Sequence, residues 1–309
     1  MDPQLKILLA VLFLLLGIAS VIGWVLEKRN QQSNAVIRNL NARIKAWWVM
    51  CLFFSLAVLL GPKMTLALFT LMSFLALREF VTLIAPGRGD HRSLFWAFFV
   101  ITPIQYYLIG IGWYGMSMIF IPVYGCLWMP IRNALAGDTE NYMARTALVQ
   151  WALMVCVYFV SHAPALLFLK IPGYVDQNAK ILFFLVIVVQ MSDVLQYVWG
   201  KTLGKHPIAP ALSPGKTIEG FVGGILSASL VGMAMYRITP FSWWQAGLFS
   251  LLICIMGFFG GLVMSAIKRD RGVKDFGSFI EGHGGMLDRI DSIIFSAPLF
   301  FHLVRFYFS

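Results

Sequence analysis

Charge is scarce in this sequence. Asp, Glu, Lys and Arg supply 12% of its 309 residues and hydrophobic residues 59%, whereas a soluble domain carries about 25% charged and about 45–50% apolar residues. So little charge cannot cover a folded chain of this size, which excludes an ordinary soluble domain and makes lipid part of its solvent. Acidic residues are the scarcer sign, 14 against 24 basic, for a net charge of +10. No nucleic-acid partner is expected, because no basic stripe with interleaved aromatics occurs outside the apolar runs. The basic residues fall instead in short clusters between those runs, which suits loops facing anionic lipid and a phosphate-bearing substrate.

Other absences narrow the class further. Cys51, Cys126, Cys156 and Cys254 all lie inside apolar runs, with no CxxC spacing and no His pair nearby. They read as small buried hydrophobes, not as disulfides or a zinc site. No internal repeat is visible. Pro214-Gly215-Lys216-Thr217 echoes the end of a P-loop, but Pro210 stands where the first glycine belongs and no soluble βαβ unit surrounds it. The first apolar run is too long for a signal-peptide core and lacks a cleavage pattern before Glu27, so it reads as a retained membrane helix; no transit peptide is evident.

What is present in quantity is long hydrophobic runs. A spanning helix needs roughly 20 apolar residues, and ten runs qualify, near 5–26, 46–61, 64–84, 94–110, 111–131, 147–169, 181–199, 220–238, 246–267 and 292–308. The expected fold is therefore all-α, a polytopic integral membrane protein of about ten transmembrane helices. We divide it into an N-terminal transmembrane region, 1–145, and a C-terminal catalytic transmembrane region, 146–309. Between the first two spans, Val36, Ile37, Leu40, Ile44, Trp47 and Trp48 recur near helical spacing among basic residues, which predicts an interfacial linker helix or else a solvated loop. Gly61-Pro62 predicts a tight hairpin between the second and third spans. With the N-terminus outside and the spans alternating, 17 of the 24 basic residues fall in inside loops. The positive-inside rule then makes the expected location the cell (inner) membrane, with the polar motifs facing the cytoplasm.

Two such motif segments, Ser192–Gly224 and Ser265–Asp291, hold most of the informative polar residues. Asp288 and Asp291 are three apart at the entrance to the last span, so a helix starting there puts both carboxylates on one face, able to share a divalent ion. Hard oxygen ligands of this kind suit magnesium or manganese, with substrate phosphates completing the shell; Mg²⁺ is the cofactor expected, alone or with a second metal ion or K⁺. His283-Gly284-Gly285 exposes backbone amides that can approach phosphate closely, and Lys268, Arg269 and Lys274 can neutralise transferring phosphates. A basic loop obeying the positive-inside rule, with Asp288 as a helix cap, would account for Lys268, Arg269 and Arg271. It would not account for two carboxylates, a histidine and two glycines set side by side. Asp193 ends an apolar span, where an unpaired carboxylate is costly, and so reads as a metal or substrate contact. Arg78-Glu79, by contrast, reads as a structural ion pair at a helix end.

The last segment resembles the signature of the phosphatidate cytidylyltransferase (CDP-diacylglycerol synthase) family. The matching residues are Ser265, Ile267, Lys268, Arg269, Lys274, Asp275, Gly277, Ile280, His283, Gly284, Gly285, Asp288, Arg289 and Asp291. Ser192-Asp193, Tyr197, Gly200-Lys201, Gly204-Lys205, Ser213-Pro214, Lys216-Thr217, Glu219-Gly220 and Gly223-Gly224 resemble the family's second conserved block. Specific likeness covers roughly the last 120 residues. This chain departs at Glu281, where Pro, Gly or Ser is usual; at Gln196, where many members have Ala; and at Gly261, where many bacterial members carry an acidic residue. The Gly257–Gly261 run looks more like eukaryotic-type members, which bears on the metal shell and the lipid preference.

The resemblance implies that CTP and phosphatidate give CDP-diacylglycerol and pyrophosphate, in a homodimer. The lipid phosphate would attack the α-phosphorus of CTP directly, since a phosphate monoester is already an anionic nucleophile and the barrier is mainly charge repulsion and positioning. In this reading Asp288 and Asp291 hold Mg²⁺, with Asp193 and Asp275 assisting. Lys268, Arg269 and Lys216 clamp phosphates, and His283 orients a phosphate or the leaving pyrophosphate. Ser213, Lys216, Thr217, Lys274, Gly284, Gly285 and Arg289 contact substrate. Two rivals stay open: a CTP-dependent polyprenol or lipid kinase, which would release CDP, and a membrane transporter, which would carry charges in the middle of several spans and repeated halves.

Overall fold

In the computed structural model, which describes residues 3–29, 35–84, 90–277 and 284–309, ten helices are long and apolar enough to cross a membrane. They are α1 (Pro3–Arg29), α2 (Ala35–Leu60), α3 (Pro62–Ile84), α4 (His91–Gly110), α5 (Tyr114–Ala134), α6 (Tyr142–Phe168), α7 (Asn178–Leu203), α8 (Ile218–Ala234), α9 (Trp243–Asp270) and α10 (Leu287–Phe308). All ten expected spans are present, and the chain is a polytopic all-α membrane protein. The only sheet among the described residues is a small antiparallel hairpin between α7 and α8, β1 (Pro207–Ala209) and β2 (Ser213–Thr217), with Pro207 opposite Thr217.

Local chemistry explains most of the boundaries. Gly61 turns the chain between α2 and α3 at φ +106°, a conformation open to glycine. The linker after α1 is helical from Ala35, and that helix runs without a break into the second span, to Leu60. No Pro or Gly occurs between Ala35 and Leu60, so nothing interrupts the hydrogen-bond ladder. Inside α4, α5 and α6 short π-helical stretches occur at Ala97–Ile101, Phe120–Gly125 and Met154–Phe159. Each contains or closely precedes a proline, Pro103, Pro122 or Pro164, whose missing N–H and ring favour a locally widened turn.

The closest packing joins α7 to α8 and α9 to α10, with α8 also laid on α9. Small residues permit it, as between membrane helices generally. A Cβ on Gly224 would come within 2.6 Å of Gln196 Cα, and one on Gly223 within 2.7 Å of the Trp199 ring. Gln196 therefore lies along a glycine face, with its amide donating to Ser192 Oγ at 2.7 Å. One continuous core runs from Phe69 on α3 to Val304 on α10, so the N-terminal and C-terminal regions share their interior. α1 packs mainly on α2 and leaves Ile7, Leu14, Leu15, Ile18 and Val21 exposed, as a lipid-facing helix should. Contacts between α7, the hairpin, the end of α9 and the start of α10 bring the two motif segments to one end of the bundle.

Candidate active site

Asp193 sits on α7 ten residues before that helix ends, about 15 Å into the bundle at 1.5 Å per residue. It is nevertheless exposed, and its Oδ1 accepts the Ser292 hydroxyl of α10 at 3.2 Å. A carboxylate that is both deep and accessible must line a recess. Ser292 is itself buried, and its hydroxyl also lies 3.4 Å from Asp291 Oδ1, which accepts the Ser292 N–H at 2.7 Å. Asp193, Ser292 and Asp291 thus form one oxygen-rich group across the α7–α10 contact.

Lys216 closes this group from the hairpin. Its ammonium lies 4.6 Å from the centre of the Phe258 ring and 3.4 Å from the Phe258 carbonyl oxygen on α9. A Cβ built on Gly261 would stand 2.7 Å from Lys216 Nζ and 3.9 Å from both Asp291 Oδ2 and Ser292 Oγ. The space that an acidic side chain at position 261 would enter is therefore taken by a lysine ammonium. Burial pushes the Lys216 amine below its ordinary range, while Asp291 and Asp193 oppose that shift.

Asp288 and Asp291 stand one turn apart at the start of α10, as their spacing predicts, but their partners differ. Asp288 Oδ1 accepts Lys268 Nζ at 2.8 Å, with the Asp288 side chain 4% and the Lys268 side chain 13% exposed. Its Oδ2 accepts the N–H groups of Phe276 at 2.8 Å and Gly285 at 3.0 Å. Gly284 turns at φ +77°, and a Cβ there would lie 2.7 Å from Asp288 Oδ2. The glycine pair is thus packed onto the Asp288 carboxylate. Asp275 and Lys274 are exposed beside it, and Arg269 reaches the carbonyls of Leu212 at 3.3 Å and Val273 at 3.0 Å, tying the end of α9 to the hairpin.

Thr217 caps α8, its hydroxyl accepting the Gly220 N–H at 3.1 Å, an interaction worth about 1 kcal/mol. Glu219 accepts the Lys205 N–H at 3.0 Å, the His206 N–H at 3.2 Å and His206 Nδ1 at 2.6 Å, anchoring the entry to the hairpin. Ser213 opens β2, three residues before Lys216. Arg289, half-buried, follows Asp288 on α10. His283, Glu281 and Ile280 lie outside the described residues.

One participant was not foreseen in this role. Glu79 of α3 directs both oxygens at the start of α10, accepting the N–H groups of Met286 and Leu287, each at 2.8 Å. The sequence pattern suggested an ion pair with Arg78. The only signal that could have pointed further was a carboxylate at the end of an apolar run.

Among the described residues no group of three or more His, Cys, Asp and Glu is set to hold a metal. Asp193 and Asp291 with the Ser292 hydroxyl are hard oxygen donors of the kind Mg²⁺ takes when substrate oxygens and water complete its octahedron, so this group fits that ion. Asp288, with Lys268 and two amides already on its oxygens, is committed to the loop.

The sequence matches the cytidylyltransferase family over residues 41–307. The chain belongs to this family. The chain is 40% identical over 304 residues to the uncharacterized protein YnbB of Escherichia coli (strain K12), an alignment spanning 96% of this chain and 97% of that one. It is 40% identical over 126 residues to a phosphatidate cytidylyltransferase of Staphylococcus saprophyticus, and 43% identical over 115 residues to one of Staphylococcus haemolyticus. Those two alignments span 40% and 37% of this chain, and 48% and 44% of the staphylococcal enzymes. The chain therefore matches somewhat under half the length of those cytidylyltransferases and nearly all of the uncharacterized relative.

Proposed function

We propose that this membrane protein of the cytidylyltransferase family transfers the cytidylyl group of CTP to phosphatidate at the cytoplasmic membrane face, releasing pyrophosphate. The observation that carries the reading is the Asp193–Ser292–Asp291 group with the Lys216 ammonium beside it. A phosphate oxygen of the lipid forms a bond to the α-phosphorus of CTP, the bond from that phosphorus to the β-phosphate oxygen breaks, and the electron pair leaves with pyrophosphate. No strong base is needed for an attacking phosphate that is already anionic. Charge repulsion between the two phosphates is the larger obstacle, and fixed cations lower it.

Asp193 and Asp291, with Ser292, would hold Mg²⁺, which supplies neutralisation and orientation of the CTP phosphates when bound. Lys216 directs positive charge into the recess from one side. Lys268, held by Asp288, stands at the rim with Arg269 and Lys274 nearby. Gly284 and Gly285 bring backbone close to the same rim without a side chain between. With basic loops inside and the N-terminus outside, the recess opens to the cytosol, where CTP resides, at the level of lipid headgroups.

The test is incubation of the purified protein with Mg²⁺, a panel of lipid phosphates, and CTP labelled on the α- or γ-phosphorus. Label from the α-position in a CDP-lipid, with release of pyrophosphate, is the expected outcome. Label from the γ-position in lipid, with release of CDP, would make the protein a lipid kinase and defeat the proposal.

A further inference from the structure

Glu79 lies in the part of the chain that the two motif segments do not reach, yet its carboxylate is committed to one of them. The N–H groups of Met286 and Leu287 stand at the start of α10, where a helix offers its own amides no carbonyl partner and where its dipole favours negative charge. Glu79 satisfies both, each at 2.8 Å. A Cβ on Gly285 would lie 2.6 Å from Glu79 Cδ, and one on Gly277 would lie 3.2 Å from it. The same carboxylate therefore touches the chain on both sides of residues 278–283. Phe80, the next residue of α3, stacks on Phe276 with ring centroids 6.4 Å apart and planes at 22°. Two consecutive side chains of α3 thus touch Phe276 and the Gly285–Leu287 turn.

We propose that Glu79 is a positioning residue for the transfer reaction: it seats the Gly284–Leu287 turn and the first turn of α10, and so sets Asp288 with its Lys268 and, one turn on, Asp291 opposite Asp193. The proposal rests on the functional reading above. It follows from the order of contacts. Glu79 holds the amides of residues 286 and 287, Asp288 holds those of 276 and 285, and Asp291 is rigidly connected to both through the helix. A shift of the turn moves the carboxylate that faces Asp193, and displacements of this kind at a reacting centre cost rate out of proportion to stability.

The experiment compares the full-length protein in detergent with Glu79→Gln, Glu79→Asp and Glu79→Ala. Amide exchange by mass spectrometry reports the turn directly. In Glu79→Gln, peptides spanning 284–290 should exchange roughly tenfold faster, the scale of one lost hydrogen bond to a charged group, while α7 and α9 peptides stay as in the wild type. CDP-lipid formation should lose roughly tenfold to a hundredfold in kcat per folded molecule, with KM for CTP little changed. Glu79→Asp, which keeps the charge, should recover part of that loss and keeps the test valid if Glu79→Ala fails to fold. Unchanged exchange at 284–290 in Glu79→Gln, with an active wild type, would overturn the proposal. So would a loss of Tm with unchanged kcat per folded molecule, since that marks a merely structural tie. A wild type that forms no CDP-lipid would instead overturn the functional reading beneath it.

Discussion

Two pairs of carboxylates at one end of this bundle are used in opposite ways. Glu79 and Asp288 have their oxygens taken by backbone amides and, for Asp288, by Lys268. Asp193 and Asp291 share a serine hydroxyl across a helix contact and face an accessible recess with Lys216 beside them. Residue type does not explain the difference, and neither does helix face, since Asp288 and Asp291 stand one turn apart on α10. Depth does. At its start a helix presents amides without partners, which Glu79 takes up, and the chain before it presents the Phe276 and Gly285 amides that Asp288 takes up. One turn further, Asp291 takes only the N–H and hydroxyl of its neighbour Ser292, on one oxygen, and its other oxygen is left to an ammonium or a cation. The first pair fixes the chain before α10 and the start of that helix, and the second lies beside Lys216.

The largest effect should come from the second pair. Asp291→Asn and Asp193→Asn are expected to lower cytidylyl transfer by about a thousandfold, the scale of losing a preorganised charge partner of transferring phosphate, with Tm nearly unchanged. A fall in Tm with normal turnover would break the comparison. Asp288→Asn should behave in the other sense. It strips Lys268 of its counter-charge in a mostly buried pair and should cost about 3 kcal/mol of stability, read as a lowered midpoint of unfolding in detergent, with activity falling alongside. Should Asp288→Asn keep wild-type stability and lose only activity, Asp288 would belong with Asp291. Gly284→Ala sharpens the same point, because it forces a side chain at φ +77° against Asp288 Oδ2; a cost of about 1–3 kcal/mol in the same unfolding assay is expected.

The smallest effect is a control outside the two motif segments. Arg145 pairs with buried Asp90 at 3.1 Å and with Asp138. The Arg145 hydrogen bond, helped by the Glu140 N–H, holds the Asp138 carboxyl below its usual range. A depressed aspartate stabilises the fold above its unfolded value of about 3.9, and that contribution is lost as pH falls through the lower folded value. Arg145→Met should therefore weaken the acid dependence of Tm below about pH 4 and leave turnover per folded molecule at the wild-type level. A change in KM for CTP would show that the loop-side network of the N-terminal region reaches the site.

How much of this was legible beforehand depends on range. Ten spans were readable because about 20 apolar residues in sequence suffice to cross lipid, whatever their neighbours. The α2–α3 hairpin was readable at Gly61 for an equally local reason. The helix in the linker was legible from its apolar spacing, and the absence of a breaker up to Leu60 explains why it is continuous with the second span. The two motif segments stood out in the sequence by their polar residues, and the structure brings them into contact. The partners of each carboxylate were not legible, since spacing fixes an angle around one helix and says nothing of what another helix presents there. Thr217 and Glu219 likewise turn to the hairpin and the start of α8.

The chain by itself determines that it lives in a membrane, how often it can cross, and which two segments concentrate its polar residues. These follow from composition and from contacts within a few residues. Only the tertiary structure decides that Glu79 from α3 holds the start of α10, that Lys216 fills the space left by Gly261, and that Ser292 of α10 bridges to Asp193 of α7. Each is a contact between residues tens to hundreds of positions apart, set by how closely glycine-faced helices approach.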